Sequence, residues 1–293
     1  MAELGPRELR VIAEVERAGS FSGAAAALGM TQPAVSHSVR GSERAIGAVL
    51  FDRGRHGARP TAAGTRVAGY ARRVLRLLDV MVAEARTVAG AGVGNATGTL
   101  RIAAFRSAAL HLLPSALKRL AARHPGIEPQ VRIVREIGEG TAGEVAAGRA
   151  DLAVATLGTS SPVPAGLVGG TLLTEPYALV HPAGHPAPRS LPLVDWAENC
   201  DSYTRDWWAA QDWIPPATVE AEDDGAVLSM VAGGMGMAIM PALSLTGAPA
   251  AVQVTSLGPD RPTREVGYVT TPELAGSIAV RALIRELRAP RSA

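Results

Sequence analysis

Over residues 7–18, Leu9, Val11, Ile12 and Val15 fall among charged positions at the spacing of an amphipathic helix, which Gly19 ends. Ser20 or Ser22 then offers a hydroxyl to the free N–H groups of a short helix running through Leu28. The run Ala24 to Ala27 removes side-chain bulk, so a crossing helix can come close. Gly29-Met30 makes a turn, and Thr31 caps the next helix with Pro33 in its first turn, where a missing N–H costs nothing. At about 100° per residue, a helix over 32–46 carries Val35, Val39, Ser42 and Ile46 on one face. Pro33, Ser36, His37, Arg40 and Arg44 fall on the other. After Gly47, the segments 50–53 and 58–60 flank the turn sequence Gly54-Arg55-His56-Gly57, which predicts a two-stranded hairpin.

Thr61 caps a long helix reaching about Val88. Along it Val67, Val74, Met81 and Val88 recur every seven residues, interleaved with Ala71, Leu78 and Ala85, a seam of heptad spacing that asks for a partner helix. Its outer face is expected to hold Arg72, Arg73 and Arg76. A Gly-rich stretch at 91–98 follows like a linker. Beyond it, strand and helix patterns alternate: strand 99–104, helix 107–124, strand 130–134, helix 140–147, strand 152–155. Such alternation predicts an α/β domain with a largely parallel sheet. Pro and Gly gather at 158–170 and again at 258–262, so the chain is expected to cross twice between two lobes with a ligand between them.

Composition narrows this picture. Apolar residues make up 47% of the 293, yet aromatics only 4%, so the cores must be built from Ala, Val, Leu and Ile. No run approaches the roughly 20 apolar residues that span a bilayer, and the first ten residues carry Glu3, Arg7, Glu8 and Arg10 without a signal-peptide core, which predicts a cytoplasmic location. The single cysteine, Cys200, excludes an internal disulfide and a Cys-based zinc cluster. The formal charge of +2 hides an asymmetry: residues 1–90 hold thirteen basic and eight acidic side chains, and residues 91–293 hold sixteen and nineteen. A basic first third on an acidic remainder is the footprint of a chain with one end on phosphate.

The order helix, tight turn, helix, arginine-bearing hairpin describes a winged helix-turn-helix, whose second helix lies in the major groove of double-stranded DNA. Candidate DNA contacts are Thr31, Gln32, Pro33, Ser36, His37 and Arg40, with Arg53 and Arg55 on the wing. Gln32 can bond adenine or a phosphate, and Arg40 can pair with guanine or neutralise phosphate. The alternative for such a module is protein contact alone. Gly233-Gly234-Met235-Gly236 follows a helical run and precedes a strand, the reverse of a dinucleotide-binding loop, and reads as a helix end. His181 and His185 each precede proline, which disfavours the helix that a metal pair at this spacing needs. Trp196, Trp207, Trp208 and Trp213 either line an apolar pocket or pack a core. No nucleophile, acid/base pair, metal site or cofactor motif assembles, so the chain is not expected to be an enzyme and no cofactor is expected.

Gly19-Ser20-Phe21-Ser22 with Ala24-Ala25, Thr31-Gln32-Pro33-Ala34-Val35-Ser36, Leu50-Phe51-Asp52-Arg53 and Thr61-Ala62-Ala63-Gly64 are the stretches by which the chain resembles the LysR-type transcriptional regulators. In the second half Leu113-Pro114, His124-Pro125, the run from Gly148 to Leu152 and Val231 to Gly236 are similar to that family's effector domain. The resemblance implies a winged helix-turn-helix over 1–60, a linker and dimerisation helix over 61–90 and a hinge over 91–97. A two-lobed, periplasmic-binding-protein-like α/β effector domain over 98–293 completes it, lobe I being about 98–161 and 265–293 and lobe II about 162–264. It implies a homodimer through Val67, Ala71, Val74, Leu78, Met81, Ala85 and Val88, commonly assembled into a homotetramer, with RNA polymerase as a further partner. It also implies a small-molecule effector, expected to be anionic, near Arg106, Ser107, Thr156, Tyr203, Thr204 and Arg205. The function that follows is effector-responsive transcription regulation. The alternatives are a ligand-independent DNA-bridging protein and an α/β enzyme with an appended helix-turn-helix. Where the family usually has leucine, this chain has Ser42 on the packing face, which should leave a small void or a polar atom in need of a partner.

Overall fold

A computed structural model describes residues 4–54, 57–90, 97–158, 162–198 and 202–290. Three helices come first: α1 (Pro6–Ala18), α2 (Phe21–Leu28) and α3 (Gln32–Ile46). Each starts where a side chain satisfies free N–H groups. The Glu8 carboxylate accepts from Gly5 N at 3.2 Å, Ser20 Oγ from Gly23 N at 3.0 Å and Thr31 Oγ1 from Ala34 N at 3.4 Å. Gly19 and Gly29 end the first two helices with φ of 63°, a left-handed turn that a Cβ would strain. The hairpin strands β1 (Phe51–Gly54) and β2 (Gly57–Pro60) follow, pairing antiparallel. Val11, Ile12, Val15, Val35, Val39, Leu50 and Phe51 close one core, each such side chain contributing roughly 1.5–3 kcal/mol when buried. Glu43 on α3 holds the root of the hairpin, its Oε1 accepting from Leu50 N at 2.9 Å and Phe51 N at 3.3 Å.

One expectation for α3 changes and another is resolved. Ser36, placed on the outward face by helical geometry, is only 8% exposed, because the buried side of α3 extends from Val35 and Val39 round to it. Ser42 is buried as expected, and its hydroxyl is satisfied within the helix by donating to Ser38 O at 3.1 Å.

The helix α4 (Ala62–Gly90) starts at Thr61, whose Oγ1 accepts from Gly64 N at 3.0 Å. The second half of the chain then runs β3 (Gly98–Ala104), α5 (Arg106–His111), α6 (Leu113–Arg123), β4 (Ile127–Ile133), α7 (Gly140–Ala146), β5 (Leu152–Leu157) and β6 (Val168–Pro182). It continues through β7 (Leu193–Trp196), α8 (Ser202–Ala209), β8 (Ala217–Ala221), α9 (Asp224–Ala232), β9 (Ala238–Pro241), β10 (Val252–Ser256), β11 (Thr263–Thr270), α10 (Pro272–Ala275) and α11 (Ile278–Arg288). The helix expected over 107–124 is two, broken at Leu112, because Pro114 lies in the first turn of α6 and supplies no N–H for a helix continuing from before it.

A sheet of order β10-β6-β11-β5-β3-β4, with β9 also on β6, runs through both lobes. Its parallel part is β4-β3-β5; β11 is antiparallel to β5 and β6, so less of it is parallel than the strand–helix alternation predicted. The long strand β6 serves two sets of neighbours. Residues 168–176 of that strand pair with β11, and 177–182 with β9 and β10. Residues 257–262 connect β10 to β11. Lobe I packs Leu100, Ile102, Leu120, Leu152, Val266 and Leu283; lobe II packs Val180, Val194, Trp196, Val227 and Met240. Trp208, with Trp207 and Trp213 partly buried around it, belongs to a further lobe II core with Leu179 and Ile239, so the tryptophans serve packing. Gly233 and Gly234 form the turn out of α9, as their context predicted. His181 is buried, its ring nitrogens contacting Pro182 O and Thr255 Oγ1.

Arg72, Arg73 and Arg76, expected on an outer face of α4, turn instead toward the rest of the chain. Arg72 pairs with Glu16 at 2.8 Å and donates to Ala147 O at 2.7 Å, and Arg73 meets Glu273 at 3.4 Å. Arg76 pairs with Asp151 at 2.8 Å, and Arg101 pairs with the same carboxylate at 2.7 Å. The charges face inward because they are matched by acidic and carbonyl oxygens on the second half, a match outside the reach of helical periodicity. Asp151→Asn removes the shared counter-charge of two guanidinium groups and is expected to destabilise the protein by about 3 kcal/mol or more. Thermal and urea unfolding check this, and a loss under about 0.5 kcal/mol, the surface-substitution range, contradicts it.

Candidate DNA-binding and effector sites

The exposed face of α3 carries Gln32, Pro33, His37, Arg40 and Arg44, with Thr31 exposed at its cap. His37, Arg40 and Arg44 border one open surface depression with Gly47 and Val49. Arg44 Nε donates to Arg40 O at 3.3 Å, which lays the two arginines along one ridge. Ser36 is withdrawn from this face by its burial. Arg55 and the side chain of Arg53 lie outside the described residues. The strand pattern supplies a cation not singled out from sequence: Arg59, exposed on β2 beside buried Ala58 and opposite Asp52. Alternation across the hairpin could have found it.

On α4, two members of the expected seam point inward. Ala71 is buried within the chain, and Val67 packs against the helix-turn-helix core. Val74 and Met81 are 43% and 60% exposed, Ala85 is exposed and Leu78 is half-buried; the side chain of Val88 lies outside the described residues. Tyr70, four residues before Val74, is also exposed and lengthens the stripe toward the N-terminus of the helix. The opposite side of α4 is taken, since Leu77 and Val80 pack against the lobe I core.

Between the lobes lies a cavity of about 500 Å³, lined among others by Glu136, Thr156, Tyr177, Glu198 and Arg264. Thr156 stands at its wall as expected, but its backbone N–H donates to Glu136 Oε1 at 2.8 Å. Glu136 also accepts from Thr141 N at 2.9 Å and Thr141 Oγ1 at 3.3 Å. Burial holds the Glu136 carboxyl above its ordinary range, against the pull of those hydrogen bonds. Ser107 is buried, its hydroxyl accepting from Arg264 Nη2 at 3.4 Å rather than lining the cavity. Arg264 stacks on Phe105 and pairs with Glu175 at 2.7 Å; burial opposes its charge, but Glu175, Tyr177 and Glu136 outweigh burial and keep its pKa above the usual value.

Arg106, expected to draw an anion, is engaged elsewhere, pairing with Asp224 at 2.5 Å. The side chains of Tyr203, Thr204 and Arg205 lie outside the described residues. Glu136, Tyr177 and Arg264 went unnoticed in the sequence. The available signal was a pair of opposite charges on strands, Arg264 of β11 and Glu175 of β6, which the register places opposite each other.

Residues 6–65 match the family "Bacterial regulatory helix-turn-helix protein, lysR family", and residues 94–290 match "LysR substrate binding domain". A probable HTH-type transcriptional regulator, LrrA of Synechococcus elongatus, is 34% identical over 261 residues, 85% of each chain. In fold, the chain is similar to a full-length OxyR variant from Pseudomonas aeruginosa, with a TM-score of 0.73 at 22% identity over 98% of this chain and 95% of that one. It is also similar to full-length CbnR in complex with its target DNA, with a TM-score of 0.65 at 19% identity over 97% and 99%.

A carboxyl whose folded pKa lies above its unfolded value stabilises the fold while protonated, and that contribution is lost as pH rises through the folded value. For Glu136 this makes the wild type lose stability relative to Glu136→Gln on going from about pH 4.5, the ordinary carboxyl value, to weakly alkaline pH. The difference in Tm, variant minus wild type, should therefore become more positive as pH rises. A difference that stays constant with pH contradicts the raised titration.

Proposed function

The chain belongs to the LysR family of transcriptional regulators, DNA-binding proteins with an effector-binding domain rather than enzymes, and from that membership we propose how its parts divide the work. The observation that carries the reading is the solvent-facing row of Gln32, His37, Arg40 and Arg44 on a helix that begins at an exposed cap. Gln32 and Arg40 enter the major groove, where they bond base edges or phosphates, and Thr31 and Pro33 set the entry of the helix. His37 and Arg44 neighbour the DNA backbone. Arg53, Arg55 and Arg59 on the wing meet phosphate or the minor groove.

Two chains pair through the exposed stripe of Tyr70, Val74, Leu78, Met81 and Ala85, and two such dimers make a tetramer on DNA, with RNA polymerase as a partner in the cytoplasm. Among the described residues no helix is long and apolar enough to cross a membrane. A small-molecule effector sits in the interlobe cavity against Glu136, Thr156, Tyr177 and Arg264. It acts by preferring one closure of the lobes and so one spacing of the two winged helices. The anion expected from Arg106 has weaker support, since Asp224 already meets that charge. An open cavity speaks for a ligand-responsive protein over a ligand-independent DNA bridge.

Arg40→Ala is expected to weaken binding of the full-length protein to its own upstream DNA about fivefold to a hundredfold at fixed salt, in the range of one lost base or phosphate pair. Fluorescence anisotropy at several salt concentrations checks it. If Arg40 meets a phosphate, the slope of log K against log salt falls by about 0.9. Unchanged affinity at every salt concentration contradicts the assignment of α3 to the groove.

A further inference from the structure

Strand β6 runs from one lobe into the other, and on it Glu175 is the cross-strand partner of Arg264 on β11, 2.7 Å away. That pair sits at the crossing itself, where the lobes cannot part. Two other ion pairs join groups that are distant along the chain and belong to opposite lobes. Arg106 opens α5 directly after β3 in lobe I, and its Nη1 lies 2.5 Å from Oδ1 of Asp224, which opens α9 in lobe II. Arg135, just after β4 in lobe I, lies 2.9 Å from Glu198, just after β7 in lobe II, and Glu198 also lines the interlobe cavity.

We propose that these two ion pairs are clasps that hold the lobes together across the cleft and set how far it stands open without ligand. The local chemistry around the first is arranged for that use. Asp223 serves as the cap of α9, its Oδ1 accepting from Gly225 N at 2.7 Å and Ala226 N at 2.9 Å. Arg106 pairs closely with Asp224, and its Nε also stands 3.9 Å from the Asp223 Oδ1 engaged in the cap. Gly225 makes the approach possible, because a Cβ there would stand 2.5 Å from Arg106 Nη2. Both arginines keep contact with solvent, 38% and 54% exposed at the side chain, against acids that are 9% and 12% exposed. Pairs of that exposure bias an equilibrium without locking it. They are also reachable by salt, which screens charges in contact with solvent. A ligand entering the cavity meets lobes already drawn together, and its effect on DNA spacing is measured from that starting point.

The inference uses the two-lobe architecture but no ligand and no DNA, so its failure leaves the DNA-binding assignment standing. The test is the interlobe distance in the full-length protein, with Cys200→Ser as background and spin labels at Lys118→Cys on α6 and Gln253→Cys on β10, read by pulsed electron spin resonance. Arg106→Ala should move the distribution toward longer distances, with the ratio of open to closed forms rising about threefold to fivefold. Gly225→Ala changes no charge and should do the same by displacing the guanidinium. In the wild type, raising NaCl from about 0.05 to about 1 M should widen the distribution. The double variant Arg106→Ala with Arg135→Ala should already be open and insensitive to salt. Identical distributions for wild type, both single variants and the double variant at all salt concentrations overturn the clasp, and circular dichroism of each variant establishes that the compared proteins are folded.

Discussion

A carboxylate taken out of water must be repaid by matched charge and hydrogen bonds, and in this protein Asp151 is where that requirement falls. Its side chain is 1% exposed, and removing such an ion from water costs several kcal/mol in isolation. Arg76 and Arg101 offset the cost from two sides, and Arg101 N donates to Oδ2 at 2.9 Å. The backbone of Asp151 takes part as well, its N–H donating to Arg101 O and its carbonyl accepting from Thr270 Oγ1. One residue thus stitches β3, the start of β5 and the end of β11 together and presents the joint to α4.

That joint determines what α4 can do. Its first turns pack with Ala68 buried in the helix-turn-helix core, and Leu77 and Val80 lie on the core of lobe I. Arg72 touches both parts at once, pairing with Glu16 of α1 and donating to Ala147 O beyond α7. With one side of the helix held this way, the stripe through Val74 and Met81 faces outward, with Val82 exposed beside it. Arg76 thus ties α4 to lobe I at Asp151, while Ala68 and Arg72 tie the same helix to the DNA-binding domain.

The N-terminal third was legible because its signals are local. Caps at Ser20, Thr31 and Thr61 act within three residues, and the hairpin between Phe51 and Pro60 closes on itself. What the sequence concealed depends on partners far along the chain. Helical periodicity groups Arg72 and Arg76 on one side of α4 but is silent on whether that side finds solvent or Asp151, 75 residues away from Arg76. Ser36 was misplaced for a similar reason, since the width of the packed face of α3 depends on its neighbours. Arg106 read as a ligand group because its partner Asp224, 118 residues later, carries no mark of pairing in sequence. The single long strand β6 was hidden by its glycines and prolines, which punctuate a chain as strongly inside a two-lobed strand as at a loop.

The claim that α4 is held to the effector domain through the Asp151 joint is tested most directly by hydrogen exchange along α4 in Arg76→Ala. The account predicts that amides over 72–84 exchange about tenfold faster or more than in the wild type, as local opening becomes easier, while those over 6–46 keep their protection. Unchanged exchange over 72–84 would contradict it and would leave the linker helix held by its apolar contacts alone.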